Sequence, residues 1–307
     1  MPPSPHAKPQ HAFGGPWTEE KLTILRKYLT AYRQIFYKNE KARYYTTVYI
    51  DAFAGTGYRT LAQPAHAKPL PFAETDEEDR QYRQGSAAIA LGIQPPFHKY
   101  VFVEQNPEFA QELRRLKAQH PNNRITILTG DANAILPQWL RKQNWRTHRA
   151  VLFLDPYGTE VRWSLLEEIA ATKAIDLWLL FPLSILRMLP QKHGPIAPLA
   201  RRLTALFGTD EWQKTFYGQR ASLQLPLFAS NQPTTPERTV DWQAVGGYFL
   251  QRLDTIFHSV AQEAYILTNS KKVPLFMLCF AAGNPRGGPL AVKIASSIIK
   301  ARKRRPS

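Results

Sequence analysis

The 307-residue chain is poor in cysteine and in long apolar runs. Its single cysteine, Cys279, cannot form a disulfide within the chain, so a reducing cytoplasm is the expected compartment. Cys279 lies in the apolar run Leu275–Phe280, which predicts a buried side chain rather than a reactive thiol. No apolar run approaches the ~18 residues that a membrane-spanning helix needs, so no membrane association is expected. The eight histidines are scattered without metal-ligand spacing, and no metal site is predicted.

Acidic residues are also scarce relative to basic ones. The chain has 40 Lys and Arg against 24 Asp and Glu, which gives a formal net charge of +16. The segment Lys300–Ser307 holds five of the positive charges, and the remainder is still strongly basic. This excess fits either a solvated surface with a basic tail or a polyanionic partner. Nucleic acid, DNA or RNA, is favoured because phosphates attract Lys and Arg and release counterions on binding.

The most informative stretch is Val48–Gly57, an apolar strand that ends in Asp51 and runs into a glycine turn. Gly55 and Gly57 lack Cβ atoms, so the backbone can turn sharply and approach a ligand closely. The dinucleotide-binding fingerprint expects a third glycine, and Thr60 stands in its place. This departure argues against a nicotinamide dinucleotide and favours the shorter loop of S-adenosylmethionine (SAM) methyltransferases. A glycine turn without any ligand is the alternative interpretation.

Two further predicted strands place acids where a nucleoside could be held. Strand 99–104 ends in Glu104, which is suited to accept hydrogen bonds from ribose hydroxyls. Strand 124–129 is followed by Asp131, expected beside an adenine amino group, and by Ala132, expected to supply a backbone N–H. The predicted cofactor-binding residues are therefore Asp51, Phe53, Gly55, Gly57, Glu104, Asp131 and Ala132.

Alternating strands and helices predict an α/β, Rossmann-like class I methyltransferase fold. We expect a seven-stranded sheet with six parallel strands and one reversed strand. The predicted strands 264–268 and 273–280 are separated by a short turn, which indicates a terminal antiparallel hairpin. A first helix begins near Thr18, and its apolar stripe is expected to pack on the edge of the sheet.

Several segments depart from this regular pattern. Residues 16–183 and 241–300 are expected to form the core, and residues 184–240 a helical insertion, without a strand of its own, that serves substrate or partner. A polar, Pro-rich insertion at 58–84 lengthens the connection between the first two strands. The predicted tails are a disordered Pro- and His-rich segment at 1–15 and a basic segment at 301–307.

The fourth predicted strand ends in Asp155-Pro156-Tyr157-Gly158, which resembles the Asp-Pro-Pro-Tyr motif of adenine N6 amino-methyltransferases. An exocyclic amino nitrogen is a poor nucleophile because its lone pair is delocalised into the ring. The resemblance implies that the Asp155 carboxylate and the Pro156 carbonyl accept its N–H bonds, while Tyr157 stacks on the flipped base. Gly158 stands where that motif has its aromatic residue, so Tyr157 comes one position early. The alternative is a strand-terminating turn that closes the cofactor pocket.

Four segments together resemble the three-Cys-motif partner (TcmP) family: Phe13–Lys21, Tyr49–Gly57, Phe153–Gly158 and Phe280–Pro285. The resemblance runs from about residue 11 to 300. Family members are prokaryotic or phage proteins. The resemblance implies a partner protein that carries three cysteines, of the kind that holds an iron–sulfur cluster in radical-SAM enzymes.

Two functional hypotheses follow from these patterns. The first is a SAM-dependent methyltransferase acting on nucleic acid, with an adenine exocyclic amino group as the leading target. The second is a non-catalytic nucleic-acid-binding adaptor that keeps the fold and delivers a three-cysteine partner. Methylation of a protein or small molecule ranks last, because it leaves the basic charge unexplained.

Overall fold

The computed structural model describes residues 16–55, 85–156, 158–218 and 236–304, and the side chains from residue 19 onward within them. Four predicted features lie outside the described residues: the tail at 1–15, Gly57, the insertion at 58–84 and Tyr157.

The described residues form one large sheet and one small one. The strands are β1 (Thr46–Asp51), β2 (Lys99–Glu104), β3 (Ile125–Thr129), β4 (His148–Leu154), β5 (Ile175–Pro182), β6 (Tyr217–Gly218), β7 (Glu237–Arg238), β8 (Ser259–Val260), β9 (Tyr265–Thr268) and β10 (Pro274–Ala282). The large sheet has eight strands in the order β3-β2-β1-β4-β5-β10-β8, and β9 also pairs with β10.

The direction of the strands confirms the predicted α/β, mostly parallel methyltransferase-type fold. Strands β1 to β5 run parallel, β10 runs antiparallel to β5, and β8 and β9 run antiparallel to β10. The predicted terminal hairpin is confirmed as β9 and β10. The count is eight rather than seven because the edge beside β10 is interrupted. There, β8 pairs with Ala281 and Ala282, and β9 pairs with the stretch from Pro274 to Leu278.

Ten helices occur in the described residues. They are α1 (Pro16–Lys38), α2 (Ser86–Leu91), α3 (Pro107–Gln119), α4 (Ala132–Arg141), α5 (Trp163–Ala171), α6 (Ile185–Met188), α7 (Ala197–Phe207), α8 (Trp212–Phe216), α9 (Trp242–Asp254) and α10 (Gly288–Lys303). Side-chain capping marks the start of α3. The Asn106 side chain accepts from the Glu108 N–H at the start of α3, and Pro107 needs no partner as the first helical residue. None of these helices has the length and apolarity that a bilayer crossing requires.

The insertion at 184–240 contains α6, α7 and α8 in its described part. The expectation that it lacks a strand is wrong, because β6 and β7 form a small antiparallel pair. Each strand has only two residues, which is too short for an alternating sequence pattern to reveal.

Helix α1 packs on a face of the sheet, not on its edge as expected. The Tyr28 ring lies 5.4 Å from Trp178 of β5 and 4.9 Å from Phe280 of β10, centroid to centroid. Both strands are interior to the sheet. Side chains alternate along a strand, so Val151 and Phe153 of β4 point to this α1-facing side while Leu152 and Leu154 point to the other.

Candidate functional site

The loop after β1 is fastened to both neighbouring strands. The Ala52 N–H donates to the Phe153 carbonyl of β4, and the Ala54 N–H donates to the Val103 carbonyl of β2. Gly55 then adopts φ +60°, in the left-handed region that side-chain-bearing residues disfavour. Its N–H donates to the Glu104 carboxylate at 2.8 Å. The chain therefore turns at Gly55, where Glu104 holds the backbone, while Gly57 lies outside the described residues.

Glu104 stabilises the loop after β1 by accepting hydrogen bonds from backbone N–H groups. Its Oε2 accepts from Gly55, and its Oε1 accepts from the Asn106 N–H at 2.8 Å. The residue is only 9% exposed. A carboxylate offers about four acceptor sites, so Glu104 keeps capacity for hydroxyl donors at this edge of the sheet.

Asp51 is a buried hydrogen-bond acceptor for the same loop. It is fully buried, and it accepts from Ser86 Oγ at 2.6 Å, from Tyr49 Oη at 3.3 Å and from the Phe53 N–H at 3.3 Å. Burial raises the pKa of Asp51 to about 7, the charge of Asp155 adds to this rise, and the hydrogen bonds oppose it. A direct contact between Asp51 and a cofactor stays a prediction. Sequence reasoning assigned Ser86 no role at the site.

The start of α4 reaches the same edge. Asp131 caps the helix, because its Oδ1 accepts from the Asn133 N–H at 2.9 Å and from Asn133 Nδ2 at 3.0 Å. Asn133 also bonds the Glu160 carbonyl and the Arg162 N–H, both in the connection after β4. Ala132 is buried. Asp131 and Ala132 are therefore brought to the carboxyl ends of the strands, where ligands bind in open α/β sheets.

Asp155 follows β4 and forms a buried ion pair. Its Oδ2 lies 2.7 Å from Lys21 Nζ of α1, and the two side chains are 3% and 0% exposed. Its Oδ1 is also buried but has no hydrogen-bond partner among the described residues. Pro156 is buried beside it, and Tyr157 lies outside the described residues.

Asp51 and Asp155 form an acid pair at the ends of adjacent strands. The β1–β4 register sets Asp51 opposite Phe153, so Asp155 stands two residues farther along the neighbouring strand. By alternation both carboxylates belong to the α1-facing side of the sheet. Their charges interact, and Lys21 supplies an ammonium group beside them.

Lys21 is a second site residue that sequence reasoning missed. It was quoted within the segment Phe13–Lys21 but was given no role. The signal was its spacing, since Lys21 precedes the buried residues Ile24, Leu25 and Tyr28 at the intervals of one helix face. A lysine on a buried face requires an acidic partner, and the partner is 134 residues away in sequence.

Cys279 belongs to the face of the sheet opposite to the one that carries Asp51 and Asp155. Cys279 is buried as predicted, and burial raises the pKa of its thiol, so a nucleophilic thiolate is disfavoured. Among the residues with described placement, no group of three or more His, Cys, Asp or Glu side chains could hold a metal ion.

No protein-family model and no curated protein matches this chain. Among solved structures it is similar to protein LPL1258 of Legionella pneumophila str. Philadelphia 1, described by the family model DUF519. The identity is 13% and the TM-score 0.47, over 95% of this chain and 92% of that chain.

Two further solved structures are similar over most of the chain. One is TYW2 of M. jannaschii in complex with AdoMet, at 10% identity and TM-score 0.32, over 88% of this chain and 77% of that chain. The other is a S-adenosylmethionine-dependent methyltransferase of Clostridium acetobutylicum ATCC 824, at 10% identity and TM-score 0.34, over 85% and 92% of the two chains. Likenesses at this level carry no argument about activity.

Proposed function

We propose that this protein is a SAM-dependent methyltransferase that acts on nucleic acid, with an adenine exocyclic amino group as acceptor. The observation that carries the proposal is Asp155 Oδ1, a buried oxygen with no hydrogen-bond partner among the described residues. A buried acceptor left unpaired costs roughly 1–3 kcal/mol. A ligand N–H placed against Oδ1 removes this cost, and an exocyclic amino group supplies that donor.

The proposed chemistry depends on how the acceptor nitrogen is held. Acceptance of its two N–H bonds by Asp155 and by the Pro156 carbonyl favours the tetrahedral, nucleophilic form of the amino group. The base must leave its stack to bring its amino group to Asp155 at the strand ends. The proposed stacking platform is Tyr157, the next residue in the chain.

The residues at this edge fit the predicted cofactor. The left-handed turn at Gly55 brings backbone close to a ligand, and the spare acceptor capacity of Glu104 suits ribose hydroxyls. Asp131 and Ala132 are proposed to meet the adenine ring. When bound, SAM supplies an activated methyl group, and the protein contributes binding, orientation and electrostatics.

The proposed partners rest on charge and on motif. A net charge of +16 supports nucleic acid, because Lys and Arg neutralise phosphates and release counterions. The likeness of four segments to the three-Cys-motif partner family supports a second partner, a protein with three cysteines. A cytoplasmic setting agrees with the single, buried Cys279.

The test is methyl transfer from radiolabelled SAM to pools of DNA and RNA. We expect Asp155→Asn to lose on the order of 10²-fold in kcat, as when one oriented hydrogen-bonding group is removed from a reaction centre. Calorimetry with S-adenosylhomocysteine should show unchanged binding to Asp155→Asn and weakened binding to Glu104→Ala. The exposed Asp210→Asn serves as a control for a generic change of charge. Unchanged methyl transfer by Asp155→Ala contradicts the proposal.

The second candidate function is the non-catalytic adaptor. It is favoured by Gly158, which stands where the adenine-specific motif has its aromatic residue. Stoichiometric SAM binding without turnover on any DNA or RNA, together with stable capture of the three-cysteine partner, identifies the adaptor. Turnover on nucleic acid excludes it.

A further inference from the structure

We propose that Lys21 of α1 is a positioning residue for the reaction at Asp155. Its ammonium holds Oδ2, which leaves Oδ1 as the single oxygen that accepts from the substrate amino group. The contact is 2.7 Å long, and Lys21 is fully buried. This inference rests on the proposed function for its catalytic meaning and on the ion pair for its geometry.

Docking of α1 alone does not account for Lys21. The helix already buries Ile24, Leu25, Tyr28 and Leu29, each at most 2% exposed, against the sheet. Replacing a buried ion pair by apolar residues of similar volume is often neutral or stabilising. A purely structural pair would also satisfy both carboxylate oxygens, whereas Oδ1 of Asp155 stays unpaired in the described part of the chain.

The Lys21 ammonium also offsets the repulsion within the acid pair. Asp51 and Asp155 repel each other from adjacent strand ends, and Lys21 is the cation in direct contact with one of them. Like charges this close are costly unless a cation compensates them or one becomes neutral. Without Lys21, we expect the Asp155 carboxylate to turn toward another donor, and this change removes the oriented acceptor.

The variant that tests this is Lys21→Met, which keeps an apolar stem and removes the charge. The matched control is Tyr28→Phe. Tyr28 makes a separate buried polar contact of α1, donating to Asp176 Oδ2 at 2.7 Å, two helical turns from Lys21 and away from the acid pair. Lys21→Met is expected to lower kcat by on the order of 10²-fold and to leave KM for nucleic acid unchanged. Tyr28→Phe is expected to retain kcat.

A double variant and a structural readout complete the test. Adding Lys21→Met to Asp155→Asn should cause little further loss, because the two residues act as one unit. Crystal structures should show the Asp155 carboxylate reoriented in Lys21→Met and unmoved in Tyr28→Phe. An unmoved carboxylate in Lys21→Met overturns the inference, and so does an equal loss of kcat in both single variants.

Failure of the proposed function is distinguishable from failure of this inference. If the wild type transfers no methyl to any DNA or RNA, the proposed function fails, while the orientation of the carboxylate still decides the role of Lys21. If Lys21→Met does not fold, Lys21→Gln is compared instead, since its amide is neutral and still donates. An unchanged kcat and an unmoved carboxylate in Lys21→Gln overturn the role of the charge.

Discussion

At the scale of single residues, Asp51 and Asp155 of the acid pair are both buried aspartates but differ in the partners that stabilise them. Asp155 has a cation against one oxygen, whereas the donors to Asp51 among the described residues are all neutral, namely two hydroxyls and one backbone N–H. Full burial without a directly paired cation raises the pKa of Asp51 to about 7. Asp51 thus stabilises the loop by hydrogen bonding at a cost in solvation.

This cost makes Asp51 a source of pH-dependent stability. Its pKa in the unfolded chain is about 3.9, so the folded state binds a proton more tightly than the unfolded state. The contribution to stability is therefore complete below about pH 4 and is lost as the pH rises through about 7. Asp51→Asn removes the titration. We expect the variant to exceed the wild type in free energy of unfolding at pH 8 by up to a few kcal/mol, with a much smaller gain at pH 5.

The measurement is urea denaturation of both proteins at the two pH values. Asp210→Asn is the control, because Asp210 is exposed and should change stability little at either pH. A gain for Asp51→Asn that is the same at pH 5 and pH 8 contradicts the assignment.

At the scale of elements, two of the buried polar contacts of α1 show how the helix crosses the sheet. Lys21 meets Asp155 beyond the end of β4, and Tyr28 meets Asp176 near the start of β5. Seven residues of helix rise about 10.5 Å. The β4–β5 register pairs Val151 with Asp176, which sets Asp155 four residues along, or about 13 Å. The helix therefore runs antiparallel to the strands, and Lys21 reaches their carboxyl ends.

A junction at the end of α7 connects the insertion at 184–240 to the core. Gly208, which ends α7, adopts φ +71° and lies so close to Trp163 of α5 that an added Cβ would come within 2.1 Å of the indole. Arg252 of α9 lies over the same indole at 4.6 Å and donates to the Phe207 carbonyl at 3.0 Å. Three elements thus converge where α7 ends.

This junction predicts a large difference between two glycine substitutions. Gly208 and Gly194 have nearly the same left-handed φ, +71° and +72°, but the space around Gly194 is open. Gly194→Ala should cost only the backbone strain, about 1 kcal/mol. Gly208→Ala adds a clash with Trp163 and should cost about 2–4 kcal/mol in total. Guanidinium denaturation compares the two directly, and equal losses contradict the packing argument.

At the scale of the whole molecule, features that depend on a local sequence pattern were predictable, whereas contacts between distant segments were not. The apolar runs that end in Glu104 and Asp155 predicted where two strands end, because a charged side chain does not continue a buried apolar strand. The contact between Lys21 and Asp155 was not predictable, since its partners lie 134 residues apart and only the fold joins them. The break between β8 and β9 was missed because two residues are too few to show a period.

The net charge of +16 predicts how the whole molecule binds a polyanion. Each phosphate neutralised contributes roughly 0.7–0.9 to the slope of log affinity against log salt. We expect the Kd for a short RNA or DNA to rise steeply between 50 and 200 mM salt, the range over which phosphate contacts weaken most visibly. Fluorescence anisotropy measures this slope, and a Kd that is independent of salt contradicts a phosphate-binding surface.

Two double variants locate part of that surface while changing the same charge. Lys300 and Lys303 lie 3.4 and 3.7 Å from Glu263, so their charges are partly neutralised within the protein. Replacing both by glutamine should therefore change the salt slope little. Arg304→Gln with Arg305→Gln removes two charges that follow Lys303 in the sequence, and the slope should fall by up to roughly 1.5 if both arginines contact phosphates. A larger effect from the lysine pair would place the contacts on the helix instead, because Lys300 and Lys303 would then have to leave Glu263 for the nucleic acid.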